Sequence, residues 1–166
     1  LRHQILKDVA AKNRETVNYV VPQDSGMHYL DRVETDWAFR VQLPRGSNVP
    51  FHCTASGKIF MSSLKKAIRN GFVDRLRLTG ETANTLTEKG RLLEELALTK
   101  KRGFALDNEE FMDGMVAIAV PVLDSQKRFM GALATHGPKS RMPYERLLEY
   151  RKILAEGAAQ ISRSMF

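Results

Sequence analysis

The segment FHCTASGKIFMSSL, residues 51–64, holds the densest group of side chains in this chain that could do chemistry. It places His52 next to Cys53, continues with small hydroxyl residues and a Ser-Gly-Lys triplet, and then becomes apolar. Three kinds of site use such residues: a phosphate-binding loop, a cysteine nucleophile with a histidine base, and an anion site at the start of a helix.

The spacing does not fit a phosphate-binding loop. That motif needs a glycine, four residues and then Gly-Lys-Ser/Thr, so that backbone N–H groups wrap the phosphate. Here Ile59 follows Gly57-Lys58, and His52 stands where the first glycine is required. The segment therefore fails the motif at two of its defining positions.

The pattern also gives little support to a cysteine nucleophile. His52 and Cys53 are adjacent, so their side chains point apart on a helix or a strand. His28 or His136 could serve as a distant base, but nothing in the sequence requires it. We favour the interpretation of Cys53 as a small buried thiol.

The histidines do not form a metal motif. His3, His28, His52 and His136 are far apart in sequence, without the short paired spacing of zinc ligands. A site assembled at long range from His52, Cys53, His136 and Asp107 stays open. We expect no metal and no cofactor.

The start of a helix near residues 53–56 is the remaining candidate. The first N–H groups of a helix are unsatisfied donors at the positive end of its dipole, and Thr54, Ala55 and Ser56 are small enough to admit an anion. An N-cap in which Thr54 or Ser56 satisfies those donors is an equally good interpretation. Apolar strands around 116–120 and Leu133 would supply the wall of a carboxylate pocket.

The acidic stretch DNEEFMDG gives no firm sign of an enzyme. Its carboxylates, Asp107, Glu109, Glu110 and Asp113, suit paired catalytic acids or a solvated turn equally well, and no partner nucleophile is identifiable. We expect that the chain is not an enzyme.

Length and composition indicate one globular domain in a reducing cytoplasm. The chain has 166 residues, 43% of them apolar, and a single cysteine. Its apolar runs are too short to cross a membrane. The formal net charge of +7 is scattered, so we expect no sequence-specific DNA contact by this part of the protein. Because the chain begins with Leu1 inside a helical pattern, we expect it to be a fragment.

Periodicity predicts an α+β domain on a mostly antiparallel sheet of about six strands. Helices are predicted over 1–15, from about 53–56 to 64, near 65–75, over 87–102 with Gly103 ending it, and after Pro143. Strands are predicted over 16–23, 27–34, 37–43, 104–107, 115–124 and 128–137, with a loop at 44–50.

The chain resembles the effector-binding domain of IclR-type transcriptional regulators over nearly its whole length. The shared blocks are PFHCTASGK, RGFALDNEE, AIAVPVLD and GPKSR, in the family's order and at plausible spacing. The resemblance implies a GAF-like domain over 16–166, a linker and signalling helix over 1–15, and a winged helix-turn-helix outside this chain. It also implies a homodimer or homotetramer that binds DNA through that missing domain and responds to small organic acids, aromatic acids among them.

The same resemblance implies a set of ligand-binding positions. Backbone amides of Ala55 and Ser56 would hold the acid group, and Asp107 would be a polar contact. The walls would be formed by Met115, Ala117, Ala134, His136, Ala38, Val41 and Val49. The chain departs from the family at His136 and Ala134, where serines are frequent, and at Cys53, where alanine is common. A metal- or redox-responsive GAF-like sensor using Cys53 and His136 is therefore the alternative.

Overall fold

The computed structural model describes residues 1–41, 43 and 48–166. These residues form a six-stranded antiparallel sheet of strand order β3-β2-β1-β6-β5-β4, which confirms the predicted α+β class. None of the helices described is both long and apolar enough to cross a bilayer. The elements are α1 (Arg2–Asn13), β1 (Thr16–Gln23), β2 (Gly26–Val33), β3 (Asn48–Val49), α2 (Ala55–Ser63), α3 (Lys66–Arg75), α4 (Lys89–Arg102), β4 (Ala105–Asn108), β5 (Met115–Leu123), β6 (Phe129–Pro138) and α5 (Tyr144–Met165).

The two faces of the sheet carry side chains of different size. Successive residues of a strand point to opposite faces, and in β5 the large residues Val116, Ile118 and Val120 join the core that contains α1 and α5. The small residues Ala117 and Ala119 join the second core, with α2, α3 and α4. Small side chains on that face let the start of α2 approach the sheet closely.

The strand predicted over 37–43 is wrong for the residues described there. Residues 37–41 and 43 form no strand, and the outer partner of β2 is instead the short β3, at Asn48–Val49. Trp37 contacts the end of α1 instead, because its indole N–H donates to the carbonyl of Arg14 at 2.8 Å. Phe39 is largely exposed.

Gly57 lets α2 begin against the preceding chain. A Cβ atom at this position would lie 2.2 Å from the carbonyl oxygen of Phe51, far inside contact distance. The glycine of the SGK triplet is therefore required by packing. Because residue 57 has no side chain, the first turn of the helix can rest directly on the backbone of Phe51.

Lys58 fixes the next turn of α2 through a buried ion pair. Its side chain is fully buried, and Nζ donates to Glu95 of α4 at 3.0 Å and to both carboxylate oxygens of Glu110 at 2.8 and 3.1 Å. Glu110 also accepts from the backbone N–H of Asn108 at 2.9 Å. One ammonium group thus joins α2, α4 and the connection between β4 and β5.

We expect Gly57→Ala to lower the stability of the fold markedly, because the added methyl group cannot avoid the Phe51 backbone. Gly90→Ala is the matched control: it lies in α4 with open space where a Cβ atom would be added, and alanine should raise stability by up to about 1 kcal/mol. Chemical unfolding of both variants measures this. Equal effects of the two substitutions would contradict the close contact at 57.

We expect Lys58→Met to reduce the free energy of unfolding by roughly 3–5 kcal/mol, because it leaves the Glu110 carboxylate buried without its cation. The double variant Lys58→Met/Glu110→Gln removes that uncompensated charge and should recover part of the loss. Urea unfolding of the parent, the single and the double variant tests the coupling. Additive losses would show that the two groups are energetically independent.

Candidate ligand-binding cavity

A small cavity lies between the start of α2 and the alanine-rich face of the sheet. Its volume of about 20 Å³ suffices for about one water molecule. Strands β1, β2, β4, β5 and β6 contribute to it, together with Leu43. The lining residues are Asn18, Val20, Tyr29, Leu43, Thr54, Ala55, Ser56, Asp107, Phe111, Met115, Ala117, Ala134 and His136.

The structure brings most of the predicted positions together around this cavity. Ala55 and Ser56 line it from the start of α2 and Asp107 from β4, and the other predicted members that line it are Met115, Ala117, Ala134 and His136. The remaining three predicted positions do not line it. Ala38 is exposed, Val49 is buried in β3, and Val41 contacts the site only through its carbonyl, which bonds to His136.

Thr54 caps α2 and binds only one of the N–H groups in its first turn. Its Oγ1 accepts from the N–H of Gly57 at 3.1 Å and donates to the carbonyl of Pro50 at 2.7 Å. Within the described part of the chain, no acceptor bonds to the N–H groups of Ala55 and Ser56. The N-cap and the anion site are therefore compatible, because capping uses a different amide.

Asp107 faces the cavity with one oxygen unpaired. Its Oδ1 accepts from the N–H of Glu110 at 2.8 Å, while Oδ2 is buried and has no hydrogen-bond partner among the described residues. Burial disfavours the charged form and raises the pKa of Asp107 to about 7. At neutral pH this carboxyl group therefore exchanges readily between a donor and an acceptor form.

A chain of hydrogen bonds fixes the state of His136. The Arg32 guanidinium can only donate, and its Nε bonds to Asn18 Oδ1 at 2.7 Å. The Asn18 amide nitrogen must then donate to Nδ1 of His136, at 2.9 Å. Nδ1 is thus an acceptor and Nε2 carries the proton, which points to the carbonyl of Val41 at 3.3 Å.

His136 is consequently a neutral imidazole in this fold. Complete desolvation lowers its pKa to about 4, so it carries no charge at neutral pH. Pairing of a His136 imidazolium with a ligand carboxylate does not fit this environment. The residue can offer one donor, Nε2–H, and that donor is held by a long and therefore weak hydrogen bond.

Three residues of this network, Asn18, Arg32 and Tyr29, were not predicted from the sequence. The Arg32 guanidinium lies 4.4 Å from the centre of the Tyr29 ring, which lines the cavity. One signal was available: Asn18 is a polar residue inside the otherwise apolar run TVNYVV. A buried amide in a central strand needs partners, and neighbouring strands must supply them.

The structure gives no support to a metal or redox site at Cys53 and His136. Among the residues described, no cluster of three or more His, Cys, Asp or Glu side chains could hold a metal ion. Cys53 is completely buried, and burial raises the pKa of its thiol, with a further contribution from Asp107. A protonated, inaccessible thiol is a poor nucleophile and a poor metal ligand.

The chain is similar to known bacterial regulators along nearly its whole length. The family model "Bacterial transcriptional regulator IclR C-terminal" matches residues 1–163. The "Probable transcriptional regulator SauR" of Cupriavidus necator is 40% identical over 149 residues, which are 90% of this chain and 59% of that protein. The "Transcriptional repressor IclR" of Escherichia coli K12 is 29% identical over 96% of this chain and 59% of its own length. The chain thus spans about three fifths of these relatives, which are regulators and not enzymes.

Solved structures agree with this result. The Thermotoga maritima IclR structure superposes with a TM-score of 0.92 at 29% identity, covering 98% of this chain and 66% of that one. The inducer-binding domain of a PobR double mutant from Acinetobacter, in complex with 3-hydroxybenzoic acid, superposes with a TM-score of 0.89 at 25% identity, covering 96% and 94%. By fold, by sequence and by the family model, the chain belongs to the IclR family of bacterial transcriptional regulators and corresponds to their C-terminal, effector-binding domain.

Proposed function

We propose that this domain senses a small organic acid in the cavity beneath α2. The observation that carries the proposal is that Ala55 and Ser56, whose N–H groups have no acceptor among the described residues, line the same cavity as Asp107, whose Oδ2 likewise has no partner there. The helix dipole and the two amides would stabilise the carboxylate. Because the empty cavity holds only about one water molecule, binding must displace part of its wall.

Asp107 restricts the chemical class of organic acid that this cavity would bind. A second carboxylate beside a bound anion is unfavourable unless it is protonated or accepts a hydrogen bond. An effector with a hydroxyl group meets both needs, since the hydroxyl can donate to ionised Asp107 or accept from its protonated form. A related domain, that of PobR, was solved with 3-hydroxybenzoic acid, an acid of this hydroxycarboxylate class.

Control of transcription would follow from the position of this domain in its family. We propose that residues 16–166 form the effector-binding unit and that the helix over 1–15 transmits its state to a winged helix-turn-helix outside this chain. Assembly as a homodimer or homotetramer in the cytoplasm completes the proposal. Its support is the resemblance to IclR-type regulators, and effector binding would shift an equilibrium between two arrangements.

A thermal-shift comparison of matched acids tests the ligand class. Glycolate should stabilise the domain more than acetate, and 3-hydroxybenzoate more than benzoate, because only the first of each pair can bond to Asp107. At 100 times its dissociation constant an effector adds roughly 2.7 kcal/mol of stability. Equal shifts within both pairs would remove the role of Asp107, and no shift with any carboxylate would count against an acid sensor.

Ser56→Leu should abolish binding of any acid that stabilises the parent, because the larger side chain fills the anion end of the cavity. Ser63→Leu places the same substitution on the same helix at an exposed position and should leave affinity unchanged. Isothermal titration of both variants provides the comparison. An affinity of Ser56→Leu within a few-fold of the parent would refute the placement of the carboxylate.

Asp107→Asn should remove a pH dependence of stability. The pKa of Asp107 is about 7 in the folded chain and near 3.8 when exposed, so the folded state binds the extra proton between these values. The contribution of Asp107 to the stability of the parent therefore falls as pH rises from about 4 to 7, by at most about 1.4 kcal/mol per pH unit. Urea unfolding across this range should show the variant gaining on the parent as pH rises. A pH-independent difference between Asp107→Asn and the parent would contradict the assignment.

A further inference from the structure

Residues 35–41, which we call the connecting segment, contact His136 of the cavity wall at one end and the residue that caps helix α1 at the other. The segment forms no strand or helix. Its contacts are hydrogen bonds and ring stacking from the elements on either side. This arrangement gives the molecule a direct physical link between its candidate ligand site and the helix that leads towards the preceding part of a regulator.

At the cavity end, the link is the hydrogen bond from Nε2 of His136 to the carbonyl of Val41. At 3.3 Å it is longer than the 2.9 Å bond from Asn18 to the other ring nitrogen and the 2.7 Å bond from Arg32 to Asn18. The shorter bonds therefore fix the orientation of the His136 ring, while its Nε2–H forms only a weak hydrogen bond. The next described residue, Leu43, lines the cavity itself.

At the other end, the connecting segment binds the carbonyl of Arg14, the residue that caps α1. Trp37 Nε1 donates to the carbonyl of Arg14 at 2.8 Å, and the Thr35 hydroxyl donates to the same oxygen at 3.3 Å. Arg14 ends α1 in the left-handed conformation, with φ of 59°. The two side chains thus satisfy a carbonyl group that the helix itself cannot.

Arg141 reinforces this end of the segment. Its guanidinium forms a bidentate pair with the buried carboxylate of Glu15, at 2.6 and 3.0 Å, and donates to the carbonyl of Phe39 at 2.6 Å. It also lies 4.7 Å from the centre of the Trp37 ring. One cation, Arg141, therefore joins Glu15, the connecting segment and the chain that follows β6.

We propose that an effector oxygen in the cavity takes the Nε2–H of His136 away from the carbonyl of Val41, and that the connecting segment passes this change to the end of α1 through Trp37. The proposal deepens the proposed function, because it states how occupancy of that cavity is communicated. His136 has one N–H to give, so the two acceptors compete for it. A carboxylate accepts a hydrogen bond roughly twice as strongly as a neutral carbonyl, so the exchange favours the effector.

The link works in both directions. If effector binding breaks the hydrogen bond at Val41, it weakens the bonds between the segment and Arg14. By reciprocity, strengthening those bonds must lower the affinity for the effector by the same factor. The coupling is therefore measurable without any effector, by removing the donor at one end and observing the other.

Trp37 is the single tryptophan of the chain, so its fluorescence reports on the connecting segment alone. His136→Leu removes the donor to Val41 with little change in volume, whereas His136→Gln keeps an N–H at this position. His52→Leu is the matched control, because His52 is also a buried histidine but bonds to the carbonyl of Thr79, at 2.8 Å. Should His136→Leu fail to fold, His136→Ala, which adds no bulk, takes its place.

In the absence of any acid, His136→Leu should shift Trp37 emission to the red and speed hydrogen exchange at the Arg14 amide by up to about tenfold, the effect of losing one hydrogen bond. His136→Gln should resemble the parent at both probes, and so should His52→Leu after correction for global stability. Unchanged emission and exchange in a folded His136 variant without the donor would overturn the proposal.

A titration of the parent with glycolate and with 3-hydroxybenzoate separates the inference from the proposed function. If either acid raises the melting temperature, the same Trp37 and Arg14 changes should appear with saturation, and should be lost in Ser56→Leu. Thermal stabilisation with neither change would overturn the communication route while leaving the sensor intact. If neither acid binds, the proposed ligand class fails, and the acid-free variants still decide the role of the segment.

Discussion

The buried ammonium of Lys58 is the interaction on which the geometry of the site depends. A charge without water is tolerated only when it is paired and fully hydrogen-bonded, and its two partners come from separate elements, Glu95 on α4 and Glu110 before β5. These bonds therefore fix α2 against α4 and against the turn that presents Asp107. Gly57, one residue earlier, lets the helix begin against Phe51. Position and orientation of the helix start follow from these two adjacent residues.

The size of the side chains on each face of the sheet determines where a cavity can form. Valine and isoleucine fill the face covered by α1 and α5, where the long C-terminal helix packs tightly. On the other face, alanines of β5 and β6 stand opposite each other, with Ala119 paired to Ala134 and Ala117 paired to His136. Their small volume leaves room beneath the first turn of α2. The cavity is thus a consequence of the same alternation that separates the two cores.

Local patterns predicted much of this structure. The helix from Ala55, the left-handed cap at Gly103 and the strands β1, β2, β4, β5 and β6 follow from periodicity and turn residues, which act over a few positions. The strand expected at 37–43 was wrong for the residues described there because alternation does not specify a pairing partner, and the aromatic residue Trp37 bonds to Arg14, at the end of α1, instead. The Asn18 network was not predictable locally, because it requires β1 to stand between β2 and β6 in a particular register.

The cavity combines polar groups with little charge, and this has a consequence for selectivity. Of the described residues that line it, Tyr29, Asp107 and His136 can titrate; burial raises the pKa values of the first two and lowers that of the third, so below pH 7 the wall is mostly neutral. Between pH 4 and 6.5 the linkage effects of Asp107 and His136 on stability have opposite signs, because one binds an extra proton on folding and the other releases one. Under the proposed function, an entering acid would meet oriented amides and single hydrogen-bonding groups instead of a full opposite charge. Selection among acids would then depend on matching those few donors and acceptors, since an unmatched buried polar group costs more than a matched one contributes.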